Sequence, residues 1–207
     1  MNLDLAELLR SIVASIGPLV YLAVFFVLFA ESGLFFGFFL PGDSLLFTLG
    51  LLASQQVLSL PVMLLLWPVA AVTGDSVGYW FGERYGRRLF TREDSIWFHK
   101  KHLVTAHDFY EKHGGKAIVL ARFIPAVRTF VPIVAGMAQM SYRKFLFWNL
   151  LGGIGWSLGV TIAGYFLGSI IPDVDKYLIP IVLLIILVSA LPPVIHLYKE
   201  RRSGAAA

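Results

Sequence analysis

The sequence predicts an all-α, polytopic membrane protein in which two oppositely oriented re-entrant helical hairpins form an inverted repeat, accompanied by spanning helices. Three observations lead there. The composition is too apolar for a soluble domain, with 57% hydrophobic residues, 14% charged residues and a mean hydropathy of +0.75. Prolines, glycines and charges interrupt the apolar stretches at two places, around residues 31–43 and 122–132. These two interrupted stretches also echo one another.

The 207 residues are read as one membrane domain. Residues 1–16 form an amphipathic N-terminal helix: Leu5, Leu8, Leu9, Ile12 and Ile16 recur three or four residues apart and lay an apolar stripe along an interface. The uncharged run 11–30 is long for a signal-peptide core, is not followed by a small-residue cleavage site, and leads directly into more apolar chain. It is therefore read as retained. Residues 17–82 form the first repeat. An apolar run breaks at Gly37, Pro41 and Gly42, a second run reaches about Ala53, and a span follows over 60–82.

Segment 83–116 is the only long polar stretch. Arg84, Arg87, Arg88, Arg92, Lys100, Lys101, Lys112 and Lys116 crowd it, so the positive-inside rule makes it cytoplasmic. Its histidines, His99, His102, His107 and His113, lack the spacing of a zinc-protease helix, and the chain has no cysteine; neither a metal nor another cofactor is expected. Ile96, Leu103 and Tyr110 recur every seven residues, as do Trp97 and Val104, which suits a helix lying on the inner headgroup layer.

Residues 117–170 form the second repeat, and 177–198 a last span. The tail Lys199-Glu-Arg-Arg202 is basic and reads as cytoplasmic, while the connector 172–176 is acidic on balance and reads as external. Two spans, 145–170 and 177–198, then connect Arg143 and Lys144 to the tail, so both ends of 117–142 lie on the cytoplasmic side. Those 26 residues are too few to cross a hydrocarbon core of about 30 Å twice, and the segment must enter and leave on one side. Pro125 and Pro132 are expected to break the helix where this hairpin turns, as Pro41 and Gly42 do in the first.

The echo is concrete. The offset from Gly50 to Gly136, 86 residues, also superposes Gly78-Tyr-Trp-Phe-Gly82 on Gly164-Tyr-Phe-Leu-Gly168, and brings Gly42 and Asp43 opposite Arg128 and Thr129. The 60–82 span ends inside whereas the 145–170 span starts inside, so the units run in opposite directions. Transporters with inverted repeats and broken elements place their site near the midplane.

The charges at the breaks are complementary: Glu31 and Asp43 from one half, Arg122 and Arg128 from the other. A charge at bilayer depth costs roughly 2.5–3.5 kcal/mol on insertion scales, so such residues face a partner, a cavity or a substrate. Arginine suits phosphate because its planar guanidinium makes paired, charge-assisted bonds without losing its proton. Glu31 and Asp43 are candidate proton carriers. Asp75, inside the 60–82 span, either extends a proton path or serves as a helix-packing hydrogen bonder. Asn149 and Trp156 read first as packing residues of the later span, with lining of the cavity as the alternative. Gly155 and Gly159 make a G-x-x-x-G pattern suited to close helix packing or to a homodimer face.

The chain resembles the DedA family of bacterial inner-membrane proteins, whose domain is also found in eukaryotic lipid scramblases. The resemblance runs from about residue 20 to 170. It is carried by Glu31-Ser-Gly with Phe39-Leu-Pro-Gly-Asp-Ser44, by Phe109-Tyr-Glu-Lys-His-Gly-Gly115, by Leu120-Ala-Arg-Phe-Ile-Pro125 with Val127-Arg-Thr-Phe130, and by Ala135-Gly-Met137 with Met140-Ser-Tyr-Arg143. It implies multi-pass residence in the inner membrane and transport of a phosphate-bearing lipid, such as undecaprenyl phosphate or a phospholipid, in dependence on the proton motive force. It also implies that two acids and two arginines are required, at Glu31, Asp43, Arg122 and Arg128. The expected partners are membrane lipids and protons, with no nucleic acid.

Three other functions fit parts of the sequence. A proton-coupled small-ion exchanger would use the intramembrane acids, but the arginines oppose a cation in the site. A lipid-phosphate phosphatase also places arginines on phosphate, but it needs a histidine nucleophile and none lies near Arg122 or Arg128, so no catalytic residue is assigned. A non-transporting scaffold for membrane assembly is the third.

Overall fold

A computed structural model of the protein describes residue 15 and residues 17–33, 42–89 and 114–170, and among these every regular element is helical. The helices are α1 (Leu19–Gly33), α2 (Gly42–Ser54), α3 (Leu60–Leu89), α4 (Lys116–Ala121), α5 (Pro125–Arg128), α6 (Phe130–Met137) and α7 (Tyr142–Ile170). The amphipathic helix expected over 1–16, the break residue Pro41, most of segment 83–116 with its histidines, and the last span over 177–198 lie outside the described residues.

Among the described residues two helices, Leu60–Gly86 within α3 and Tyr142–Ile170, are long and apolar enough to cross a membrane. They fall where spans were expected. α3 runs to Leu89 rather than stopping at 82, because Glu83, Arg84 and Arg87 are good helix formers and do not end a helix by being polar. The molecule is inside-out relative to a soluble protein. Leu65 is 73% exposed and Phe166 59%, whereas Glu31, Asp75, Arg122, Arg128 and Asn149 are all buried.

The described residues fall into two compact units, 15 and 17 with 42–60 and 160–170, and 18–33 with 61–89 and 114–159, so that α7 contributes to both. In the first unit, α2 lies against the end of α7. The backbone at Gly50 abuts the Thr161 carbonyl and that at Gly164 abuts the Phe47 carbonyl, with no room for a Cβ at either. Gln55 Nε2 donates to the Gly168 carbonyl at 3.1 Å. α2 ends on Gln56 in the left-handed region (φ 59°), with Gln56 N–H bonded to the Ala53 carbonyl at 3.0 Å and Val57 N–H to the Leu52 carbonyl at 3.1 Å.

The second unit repeats that arrangement with α6 and α3. Gly136 abuts the Tyr79 carbonyl and Gly82 abuts the Ile133 carbonyl, again without space for a Cβ. α6 ends on Gln139 in the left-handed region (φ 57°), with Gln139 N–H bonded to the Gly136 carbonyl and Met140 N–H to the Ala135 carbonyl, both at 3.1 Å. The Tyr79 hydroxyl donates to the Met140 carbonyl and fastens this turn. Tyr79, Ile118, Ala135 and Phe145 form a buried core there, flanked by Val131, Met140 and Trp148. α1 crosses α3 at Gly33 and Gly74, where a methyl group added at Gly74 would lie 2.6 Å from the Phe29 carbonyl oxygen.

The interrupted segment 117–142 consists of three short helices. The chain leaves α4 at Arg122, is extended at Ile124 (φ −116°, ψ 104°), and restarts with Pro125 opening α5. Pro132 does not mark a break as expected; it is the third residue of α6. Its missing N–H is harmless there, because the first four N–H groups of a helix have no intrahelical acceptor.

Candidate functional site

The second unit gathers four charged side chains from four elements. α1 contributes Glu31 from its last turn, α3 contributes Asp75 from mid-span, Arg122 caps the end of α4, and Arg128 closes α5. All four are buried, with Glu31 at 0% exposure. Gly33 and Gly74 explain how two of these elements approach: the backbone contact at their crossing lies two residues from Glu31 and one from Asp75.

The charges form two ion pairs. Arg128 Nη2 contacts Glu31 Oε1, and Arg122 Nη2 contacts Asp75 Oδ2. Buried ions of this kind are tolerated when paired and hydrogen-bonded, and the set is neutral in total. Arg122 has further partners: its Nη2 donates to Asn149 Oδ1 at 2.7 Å and lies 3.5 Å from the Ala71 carbonyl. Asn149 in turn donates through Nδ2 to the Val72 carbonyl at 3.1 Å, so its amide is oriented by α3.

α7 provides the floor under Arg122. A methyl group at Gly152 would lie 3.1 Å from Arg122 Cδ, and one at Gly153 would lie 3.2 Å from Arg122 Nη2 and 2.8 Å from Val72 Cγ2. One turn further, the buried Trp156 ring has its centroid 4.7 Å from Arg128 Cζ and 5.9 Å from Arg122 Cζ. The Thr129 hydroxyl and Arg122 Nε are buried and make no hydrogen bond among the described residues.

Of the residues singled out from sequence, Glu31, Asp75, Arg122 and Arg128 come together. Asp43 lies in the first turn of α2, in the other unit, as does Gly42, which is buried and opens that helix. Asp75 is the direct partner of Arg122. Asn149 and Trp156, read as packing residues, both contact the arginines, and Gly152 and Gly153 seat Arg122. The missed signal was periodicity: 149, 152, 153 and 156 share one helical face and carry the polar, small and indole groups of α7. Gly155 and Gly159 are exposed, and a Cβ at either meets nothing within 4 Å among the described residues.

A chain of hydrogen bonds leads outward from this site. The exposed Tyr142 hydroxyl donates to Ser76 Oγ at 3.2 Å, and Ser76 Oγ donates to the same Val72 carbonyl at 2.8 Å. The carbonyl accepts from both sides, so the chain fixes α7 against α3 but cannot relay a proton.

Comparison with known proteins gives a consistent picture. The VTT domain family model matches residues 40–166. Protein DedA of Escherichia coli (strain K12) is 47% identical over 209 residues, covering 100% of this chain and 93% of that protein. An uncharacterized membrane protein of Mycobacterium tuberculosis is 43% identical, covering 91% of this chain and 84% of its own length. Inner membrane protein YqjA of Escherichia coli is 36% identical over 81% of this chain and 80% of that protein. No solved structure matches. Two apolar spans, an inside-out distribution of polarity, and identity of this extent along the whole chain lead to one assignment: the chain belongs to the DedA family of VTT-domain membrane proteins.

Proposed function

We propose that the protein is a proton-linked translocase or scramblase of the bacterial inner membrane that moves a lipid with a phosphate headgroup, the tail remaining in the bilayer. The observation that carries this reading is the pair of buried arginines, each neutralised by an acid from a different helix, inside a protein whose outer surface is apolar. Such a set is balanced when empty. A phosphate monoanion can take the place of a carboxylate on a guanidinium once that carboxylate accepts a proton, and the net charge of the site stays constant.

Arg122 and Arg128 hold the phosphate in this scheme. Glu31, with Asp43 and Asp75, carries the protons that let the headgroup enter and leave. The Thr129 hydroxyl and Arg122 Nε, which make no hydrogen bond among the described residues, are donors available to phosphate oxygens. The two hairpins act as an inverted repeat. The glycine contacts of α2 with α7 and of α6 with α3, and the left-handed glutamine ends, each taken within its own unit, support a likeness between the two hairpins.

The test is transbilayer movement of labelled polyprenyl phosphate and phosphatidylethanolamine in proteoliposomes, with and without a pH gradient, for wild type, Arg128→Ala, Asp43→Asn and Glu31→Gln. Lipid movement that a gradient accelerates and all three substitutions abolish is the expected result. Failure of the unmodified protein to move either lipid would end the proposal. Proton-driven ion flux without lipid movement would replace it with ion exchange.

A further inference from the structure

We infer that Trp156 is a positioning residue of the arginine centre: its indole face is the uncharged counter-surface that keeps Arg122 and Arg128 seated while their carboxylates exchange partners. The functional half of this inference rests on the reading of the arginines as headgroup-binding groups. The physical half rests on geometry alone.

Trp156 sits on the face of α7 that already carries Asn149 and the glycine seat of Arg122. Its ring is buried, and both guanidinium carbons lie within the ~6 Å over which an aromatic face attracts a cation, Arg128 at 4.7 Å and Arg122 at 5.9 Å. One indole thus serves two guanidiniums that otherwise repel each other. While Glu31 and Asp75 are ionised, they supply most of the compensation. When either is protonated, a buried guanidinium loses its counter-charge in a low-dielectric setting, and an aliphatic neighbour would offer nothing in return.

An indole offers its negative face, and it has two advantages over another acid. It does not titrate, so its attraction persists through the protonation of its neighbours. It also leaves the in-plane N–H donors of the guanidinium fork to oxygen ligands, because a cation–π contact uses the face of the group. Its contribution should therefore be largest when a carboxylate is neutral.

The experiment replaces Trp156 alone, by site-directed incorporation, with tryptophans carrying increasing numbers of ring fluorines. Ring shape is nearly constant in this series while the negative potential of the face falls stepwise. The melting midpoint of the detergent-solubilised full chain is read in the wild-type and Glu31→Gln backgrounds, and lipid translocation is read in proteoliposomes. The midpoint should fall with each added fluorine and more steeply with Glu31→Gln. Translocation should fall about tenfold from tryptophan to the most fluorinated ring. Trp156→Phe should retain part of the function and Trp156→Leu none.

A midpoint indifferent to fluorine number, or slopes equal in the two backgrounds, would overturn the inference and leave Trp156 as packing. Should Glu31→Gln be too unstable to purify, Glu31→Asp, one methylene shorter toward Arg128, provides the weakened background. A midpoint that follows fluorination in a protein that moves no lipid would uphold the positioning role and count against lipid transport instead.

Discussion

Arg128, in the last residue of α5, is paired with Glu31 in the last turn of α1, a carboxylate 97 positions earlier in the chain. Both are buried, so the pair joins the interrupted segment to the short apolar helix α1 inside the protein. Its energetics follow from burial. Removing one member leaves an uncompensated charge, whereas removing both leaves a smaller defect. Glu31→Gln and Arg128→Gln should each destabilise the protein by about 3–5 kcal/mol. The double substitution should cost clearly less than the sum of the two, measured as thermal midpoints in detergent. Additive losses would mean that the two side chains do not interact.

Asn149 links Arg122 to the Val72 carbonyl, and an apolar replacement takes one hydrogen bond from each of these partners. Asn149→Leu should cost about 1–3 kcal/mol and lower translocation. Asn149→Gln, which keeps the amide on a longer stem, should recover stability only in part. Full stability of Asn149→Leu would remove the amide from the account of the site.

The glycines of α7 divide into two groups that a substitution scan can separate. Gly153→Ala places a methyl group against Val72 and the paired Arg122 guanidinium and should cost about 1–3 kcal/mol, since Val72 must shift to admit it. Gly155→Ala and Gly159→Ala meet nothing among the described residues and should lie within about 0.5 kcal/mol of wild type. A loss of chemical cross-linking between copies in these last two variants, at unchanged monomer stability, would assign the G-x-x-x-G pattern to a homodimer face.

Gln56 and Gln139 end their helices with positive φ, a conformation that costs an L-residue roughly 1–2 kcal/mol. Gln139→Gly relieves that strain and should be neutral or stabilising by up to about 1 kcal/mol. Gln139→Val, β-branched at a left-handed position, should be destabilising. The corresponding pair at Gln56 should behave alike, which makes this a test of the likeness between the two helix ends.

Lipid movement and stability should part company in Arg122→Lys. Lysine keeps a charge next to Asp75 and Asn149, the two partners of Nη2, but lacks the planar guanidinium and its Nε donor, which makes no hydrogen bond among the described residues. Translocation should fall at least tenfold while the protein remains folded and extractable. Unchanged translocation would show that a point charge suffices and that guanidinium geometry is irrelevant.

The amino-acid sequence by itself determined the class of the molecule and much of its outline. Apolar composition implied a membrane protein, runs of suitable length marked the spans that became α3 and α7, and charge at otherwise apolar positions singled out Arg122, Arg128, Glu31 and Asp43, with Asp75 as a further candidate. These properties are local or compositional, so they are legible without knowing which segments meet. Only the tertiary structure decided the pairing, Arg128 with Glu31 and Arg122 with Asp75, and revealed Asn149, Trp156 and the Gly152–Gly153 seat as parts of the same site. An ion pair is chosen by where helices cross. Those crossings are set by backbone contacts such as Gly33 with Gly74 and Gly136 with Tyr79, between residues far apart in the chain, where hydropathy and helical period carry no information about the partner.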